Sequence, residues 1–357
     1  MANRIKAFDV AKFVAILAVI VGHTAIRFST MSASATKAVA LAFTFHLPVF
    51  LVVSGYFLHE DRPFRWGKEA RSLIEPYVIG AVAIVLVTGA ANAVLHDQGS
   101  TLQVFKDWTS AAIYGAGDIA AEDLAVWPQV YRIGGLWFLL ALFWARFVTC
   151  AAFKTKAPVL VVTAAFIVGI FSSKIVFLPF DIQSGLCASA FVAVGVYARK
   201  FRLFERGGVH PVMWVLLAVV WVWAILAYDG YSMAMCGYGD TFMAFSRNIC
   251  GAIAGSFCVI GACCALERGR VGESALWNVL AKLGTMTLMI LCVHIFEDDV
   301  LRWGLIVEAS LKISTRFSWA FVALVRCAVD VVAAVIFCAA ASRFRGFVGH
   351  LNEKVSR

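Results

Sequence analysis

The chain has 357 residues, of which 62% are hydrophobic and only 15% charged. An ordinary soluble domain is nearer half apolar and a quarter charged, so a water-exposed globular core is excluded and lipid is implied as the solvent. The net charge of +9 would suit nucleic acid, but the basic residues gather in alternate connections between apolar stretches, which is the pattern of membrane topology instead.

A bilayer core needs about 20 mostly apolar residues in a helix. Stretches of that kind run over residues 8–28, 37–58, 73–95, 133–153, 158–177, 183–200, 211–229, 244–266, 276–297 and 319–342. They predict an all-α polytopic membrane protein of about ten transmembrane helices. The fifth and sixth are the weakest, because Lys174, Pro179 and Asp181 crowd the connection between them.

With the N-terminus inside, the inner segments hold most of the 31 basic residues, including Arg4, Lys6, Lys12, Arg62, Arg65, Lys68, Arg71, Arg146, Arg199, Lys200, Arg206, Arg345, Lys354 and Arg357. Outer segments are poorer, with Arg27, Arg132, Arg302 and Arg316 among theirs. Both termini are therefore expected on the cytoplasmic side of the cell membrane. Residues 343–357 read as a short basic cytoplasmic tail. Arg4 and Lys6 before an apolar run resemble a signal peptide, but Asp9, Lys12 and His23 make a poor signal core and favour a retained first helix.

Ionisable side chains inside a lipid span are costly and mark sites by default. In the first span Lys12 and His23 share one helical face, about 16 Å apart along the axis, with Asp9 one turn before Lys12. In the second, His46 precedes Pro48, which removes a helical hydrogen bond, and Ser54-Gly55 follows, where small residues let a backbone or a ligand approach closely. The basic connection after it (Arg62, Arg65, Lys68, Arg71) precedes Pro76-Tyr77 and suits an anionic ligand such as a nucleotide phosphate, or topology alone. The long outer connection from His96 to Arg132, with Asp97, Asp107, Asp118, Glu122 and Asp123, suits either a lid or a solvated loop.

Late in the chain His294 and Asp298 are four residues apart and can touch on a helix. Arg326 and Asp330 have the same spacing and read as a structural ion pair. The ten cysteines include no CxxC pair, so no metal site is expected, and Cys236 has no obvious partner. If His23, His46 and His294 converge, they form an outward-facing polar site, while Lys12 and the basic connection form an inward-facing one.

These motifs resemble the acyltransferase-3 family of bacterial membrane O-acyltransferases over nearly the whole chain. Lys12-x10-His23 looks like its Arg/Lys-x10-His signature, and Phe45 to Phe57 (FHLPVFLVVSGYF) is similar to its second-span motif. Lys68 and Arg71 sit where the family keeps basic residues ahead of a Pro-Tyr, and Leu136-Trp137-Phe138-Leu139 matches its LWFL. His294 falls where the family has a histidine in a late span. The nearest branch resembles fucose 4-O-acetyltransferases, from which Leu47 and Val49 depart.

The resemblance implies an enzyme that moves an acyl group, usually acetyl from acetyl-CoA and in some relatives succinyl, onto a hydroxyl of a sugar or other cell-envelope acceptor. It implies His23 as general base or transient acyl carrier, assisted by Lys12 and Asp9. Lys12, Lys68 and Arg71 would bind the phosphates of CoA, a co-substrate and not a resident cofactor. Ser54, Gly55 and Tyr56 would line the passage for its pantetheine arm. His46, Trp137, His294 and Asp298 would shape the acceptor side. The expected partners are the lipid bilayer, acyl-CoA and an envelope glycan or glycolipid. Competing readings are a small-molecule transporter, exporter or sensor domain with this fold, and an assembly factor for an envelope polymer.

Overall fold

The computed structural model describes residues 5–95, 99–205, 208, 210–301, 303–313 and 318–355. Arg4, His96, Asp97, Arg206, Arg302, Arg316 and Arg357 lie outside the described residues, as do the side chains of Arg345 and Lys354. In chain order the helices are α1 (Lys6–Ile26), α2 (Ala33–Phe43), α3 (His46–Tyr56), α4 (Trp66–Glu69), α5 (Glu75–Leu95), α6 (Thr101–Tyr114), α7 (Trp137–Ala152) and α8 (Pro158–Ser173). There follow α9 (Ile182–Lys200), α10 (Pro211–Leu226), α11 (Phe242–Glu267), α12 (Ala275–Gly284), α13 (Thr287–Val300), α14 (Trp303–Ile313) and α15 (Ser318–Val355). Extended pairing among the described residues is confined to two isolated bridges, Ala125 with Phe177 and Ser232 with Gly237.

The all-helical expectation holds. Among the described residues seven helical stretches are long and apolar enough to cross a membrane, with α2 and α3 counted together as Ala33–Tyr56 and α4 to α5 as Trp66–Leu95, and eight if α12 and α13, bent by 62°, count as one span. The stretches expected at 158–177 and 211–229 form the shorter apolar helices α8 and α10. The expected tail continues the last helix, which runs unbroken to Val355.

Sequence explains the breaks. Pro48 has no N–H to offer the carbonyl of Thr44, and the chain turns at Thr44-Phe45 between α2 and α3. Pro76 likewise cannot bond the carbonyl of Ser72, and a π-helical turn, Ala70–Ile74, lies just before it.

α1 stands in the middle of the bundle, packed by α2, α3, α11, α12 and α15. Its Ala7, Ala11, Ala15, Ile16 and Ile20 are almost wholly buried. A second packing centre is α9, which meets α3, α7 and α8.

At the α3–α9 crossing two glycines bring the backbones together. A Cβ on Gly55 would fall 1.9 Å from the carbonyl oxygen of Val192, and one on Gly195 would fall 2.0 Å from that of Val52. Neither obstacle is a movable side chain. Gly55→Ala or Gly195→Ala should therefore push the helices apart and cost about 1–3 kcal/mol, as overpacking does. Unfolding of the purified protein in detergent reads this as a lowered Tm, and an unchanged Tm would show that the crossing has room to spare.

Candidate functional site

Two polar regions lie at opposite ends of α1. At its C-terminal end a cavity of about 590 Å³ opens among α1, the α2–α3 break, the segment before α7, the α10–α11 connection and α13. His23, His46, Trp137 and Asp298 line it, together with Gly134, Gly135, Tyr228, Tyr231, Arg132 and Asp299. His294 does not line it. Its side chain is wholly buried behind His23.

The hydrogen bonds around His294 fix the proton on one of its ring nitrogens. Its Nδ1 lies 2.9 Å from Oδ2 of Asp330 and 3.1 Å from Oε1 of Glu297. Carboxylates only accept, so Nδ1 carries a hydrogen, and in the neutral form of the ring Nε2 is an acceptor. His23 Nδ1 is 3.2 Å from that Nε2, and when His294 is neutral His23 donates to it through Nδ1. In that state its own Nε2 is left with a free lone pair. His46 repeats the arrangement, because its Nδ1 donates to the carbonyl of Ala42 at 2.8 Å and leaves Nε2 bare. Two cavity histidines thus offer acceptor nitrogens, and one is backed by a His294–carboxylate relay.

The surrounding ion pairs correct two expectations from helical spacing. Asp298 does not serve His294; it pairs with Arg27 at 2.8 Å and Arg326 at 2.5 Å. Arg326 binds Glu297 and Asp298 on α13, while Asp330 serves His294. The partners are on neighbouring helices or at a spacing of three, so the i,i+4 pairs are displaced by tertiary ones. Glu297 was not singled out from sequence, although it shares a helical face with His294. Asp330, an acid in an apolar span that helical spacing assigned to Arg326, was the other available signal.

His294, Glu297 and Asp330 bring three potential metal-ligand atoms within 4.8 Å of one another. The donor set fits a cation poorly, because the Arg326 guanidinium already occupies Oε1 of Glu297 through Nε at 2.9 Å. A metal there would have to displace an ion pair.

The cavity walls are fixed from outside. In the long connection α6 forms as a helix, and residues 115–132 after it fold back against it and the bundle. Trp127 Nε1 donates to Ser110 Oγ at 2.8 Å, Phe177 N to Leu124 O at 2.8 Å, and Trp108 stacks on Tyr131. Across the cavity, the Tyr231 hydroxyl donates to the carbonyl of Phe43 at 2.9 Å. Burial lifts the Tyr228 hydroxyl to about 12, with Asp229 adding to the rise, and burial also raises Tyr231. Both stay protonated donors at neutral pH.

At the other end of α1, Lys12 pairs with Asp9 at 2.9 Å. Eleven residues, about 16 Å of helix, separate Lys12 from His23, so this pair takes no part at the histidine relay. An open groove of about 560 Å³ is lined by Arg65, Gly67, Lys68, Arg71 and Ser72. It sits on the π-helical turn. Among the described residues none of these three cations is paired with a carboxylate. Glu69, the last residue of α4, is directed inward, where Arg146 holds it by two bonds of 2.8 and 2.9 Å.

Arg146 also donates to Ser54 Oγ at 2.8 Å, Gly55 is used in the α3–α9 crossing, and the Tyr56 ring is packed on Phe8 at 4.5 Å. None of the three lines either cavity. Nearby, Glu60 is clamped by Arg199 and Lys200. Its burial works toward neutrality, but its own backbone N–H and the two cations outweigh it and hold its carboxyl below the usual range.

A sequence profile described as an acyltransferase domain, the acyltransferase-3 family, matches residues 5–341. No curated protein and no solved structure matches the chain.

Proposed function

The chain belongs to the acyltransferase-3 family, and from that premise we propose that it moves an acetyl group from cytoplasmic acetyl-CoA to a hydroxyl of a sugar or other envelope acceptor. The observation that carries this reading is the relay Asp330–His294–His23, which ends in a bare Nε2 at the cavity. Such a nitrogen suits a general base. Nε2 of His23 takes the proton of the acceptor hydroxyl as its oxygen attacks the thioester carbon. The C–S bond breaks, and the imidazolium returns the proton to the departing sulfur, giving the O-acetyl product and free CoA. The cation that forms on His23 is stabilised by donation through Nδ1 to His294, whose own N–H is held by the carboxylates.

In this reading Arg65, Lys68 and Arg71 meet the CoA phosphates at the groove. His46 and Trp137 receive the acceptor. The bent pair and the two shorter apolar helices complete ten crossings, with both termini and the groove on the cytoplasmic face and the histidine cavity on the outer one. The excess of Lys/Arg on the groove side supports that orientation.

Membranes containing the protein are given radiolabelled acetyl-CoA. Label should enter envelope glycans with release of free CoA, detected by mass spectrometry as an acetyl-sized gain. Substrate flux with no CoA release would sink the reading in favour of a transporter. Reversing Lys68 and Arg71 together to Glu should raise KM for acetyl-CoA roughly 10–100-fold, since each charged contact to phosphate contributes about 1.5–3 kcal/mol before screening. An unchanged KM would move the CoA site elsewhere.

A further inference from the structure

Cys236 stands alone in the α10–α11 connection, and the sequence offers it no neighbouring thiol. The fold does. The turn Ser232–Gly237 is closed by two backbone bonds of 2.9 Å, each residue donating its N–H to the carbonyl of the other. That turn is seated on the start of α9, where Ser184 Oγ lies 2.8 Å from the carbonyl oxygen of Ala234 and 3.8 Å from Sγ of Cys236. Cys187 follows Ser184 by three residues, on the same helical face. Its thiol shares a hydrogen bond with that of Cys236, and both side chains are buried.

The backbone of Cys236 is strained to bring this about. Its φ is +55°, a left-handed conformation that disfavours any residue with a Cβ and persists only where the surroundings over-determine it. Two thiols alone do not complete a site for a soft metal ion. Among the described residues no third His, Cys, Asp or Glu brings a ligand atom onto the pair. A bond between the two sulfurs needs no further residue. The pair also lies at the end of the bundle that carries the histidine cavity, since Tyr228, Tyr231 and Ala234 of the same connection line it. In the proposed orientation that end faces outward, where disulfides form and persist.

We propose that Cys187 and Cys236 are oxidised to a disulfide on the outer side of the membrane, and that this bond fastens the cavity-lining connection to α9. The inference rests on the proposed orientation and is independent of acyl transfer. The oxidant is a disulfide of the outer compartment, carried by a protein or by a small molecule. One cysteine thiolate attacks it, forming a mixed disulfide and releasing one thiol of the oxidant. The second thiolate attacks the mixed disulfide, forming the Cys187–Cys236 bond and releasing the other thiol. Two electrons and two protons pass to the oxidant. Both thiols are closed off in the folded chain, so the exchange belongs to insertion, before the connection settles on α9. The loop that the bond closes contains all of α10, and cross-links over long loops restrict the unfolded chain most.

The test uses the full-length protein, with its membranes dissolved in SDS and N-ethylmaleimide without reductant. Mass spectrometry of the digested protein should find the Cys187 and Cys236 peptides joined, lighter by two hydrogens than their sum, and separated by reduction. Cys187→Ser should leave Cys236 alkylated, and Cys236→Ser should leave Cys187 alkylated. Reductant should lower the Tm of the unaltered protein in detergent and leave that of Cys187→Ser unmoved; no shift in the unaltered protein would overturn the fastening role. Alkylation of both cysteines without reduction, or either one joined to a different cysteine, would overturn the proposal. The orientation is read separately by adding Asp240→Cys, an exposed position of the connection, to the variant with both Cys187→Ser and Cys236→Ser. A membrane-impermeant maleimide applied to cells with the inner membrane intact should label residue 240. Free thiols in the unaltered protein without that labelling would trace the failure to the orientation, and free thiols with it would trace the failure to the pairing.

Discussion

Replacing His23 by alanine is expected to lower acetyl transfer by about 10²–10⁴-fold, the usual contribution of a positioned general base. The loss should appear in kcat, with KM for acetyl-CoA unchanged, because the cationic groove lies at the other end of α1. Thermal unfolding should move little, since His23 is a half-buried cavity residue and not a packing one. His294→Phe tests the relay separately. It leaves Nδ1–H of His23 without an acceptor, so the ring is free to turn and to adopt the other tautomer. We expect a fall in kcat of about 10–100-fold, smaller than for His23 itself because the base is still present. His294→Gln, whose amide oxygen can take over as acceptor, should recover part of it. A purely structural role for His294 would give no such recovery. Full activity in His23→Ala membranes at normal expression would remove the mechanism altogether.

The parts of this site that were legible in the sequence are those set by one helix. The Asp9–Lys12 pair and the alignment of Lys12 with His23 follow from helical periodicity alone, and Pro48 announces the break that carries His46 into the cavity. Trp137 of the LWFL motif lies on the cavity wall. The ambiguity at Ser54-Gly55, between a close backbone and a close ligand, is resolved by Gly195 lying opposite, a contact between segments about 140 residues apart.

Where periodicity failed, it failed for one reason. His294 with Asp298 and Arg326 with Asp330 are sound i,i+4 pairs on an isolated helix, where each contributes only about 0.2–0.5 kcal/mol. In the bundle α13 and α15 face each other, and exchanged partners give each of the four side chains a polar or charged partner at once. Arg326 reaches two carboxylates, and Asp330 reaches an imidazole that has nothing else to hold its N–H except Glu297. Buried charges demand full pairing far more strongly than helical neighbours attract. A sequence shows which charges must be paired but not which helices will face one another.

The second large effect should come from Arg326. Its side chain is wholly buried on α15. Nε donates to Oε1 of Glu297 at 2.9 Å, Nη2 to Oδ1 of Asp298 at 2.5 Å, and Nη1 to Thr24 Oγ1 at 3.3 Å. The guanidinium also stands 4.8 Å from the ring of Trp303, whose indole N–H donates to the other oxygen of Glu297. Arg326→Met keeps the length of the side chain but strands Glu297 in a buried site, and breaking such a pair costs about 3–5 kcal/mol. Asp298 retains Arg27, so the penalty falls mainly on Glu297. The double variant Arg326→Met with Glu297→Gln should accordingly be more stable than Arg326→Met alone, by at least about 1 kcal/mol of coupling. Unfolding in detergent measures all three proteins against the unaltered one. Additive losses would show that Glu297 finds compensation without Arg326. Restored stability has a second consequence for catalysis. Glu297 also accepts from Nδ1 of His294, but Asp330 holds the same hydrogen at a shorter distance. If Asp330 is the carboxylate that orients the relay, the double variant should regain acetyl transfer along with stability. Recovery of stability without activity would assign that orienting role to the charge on Glu297.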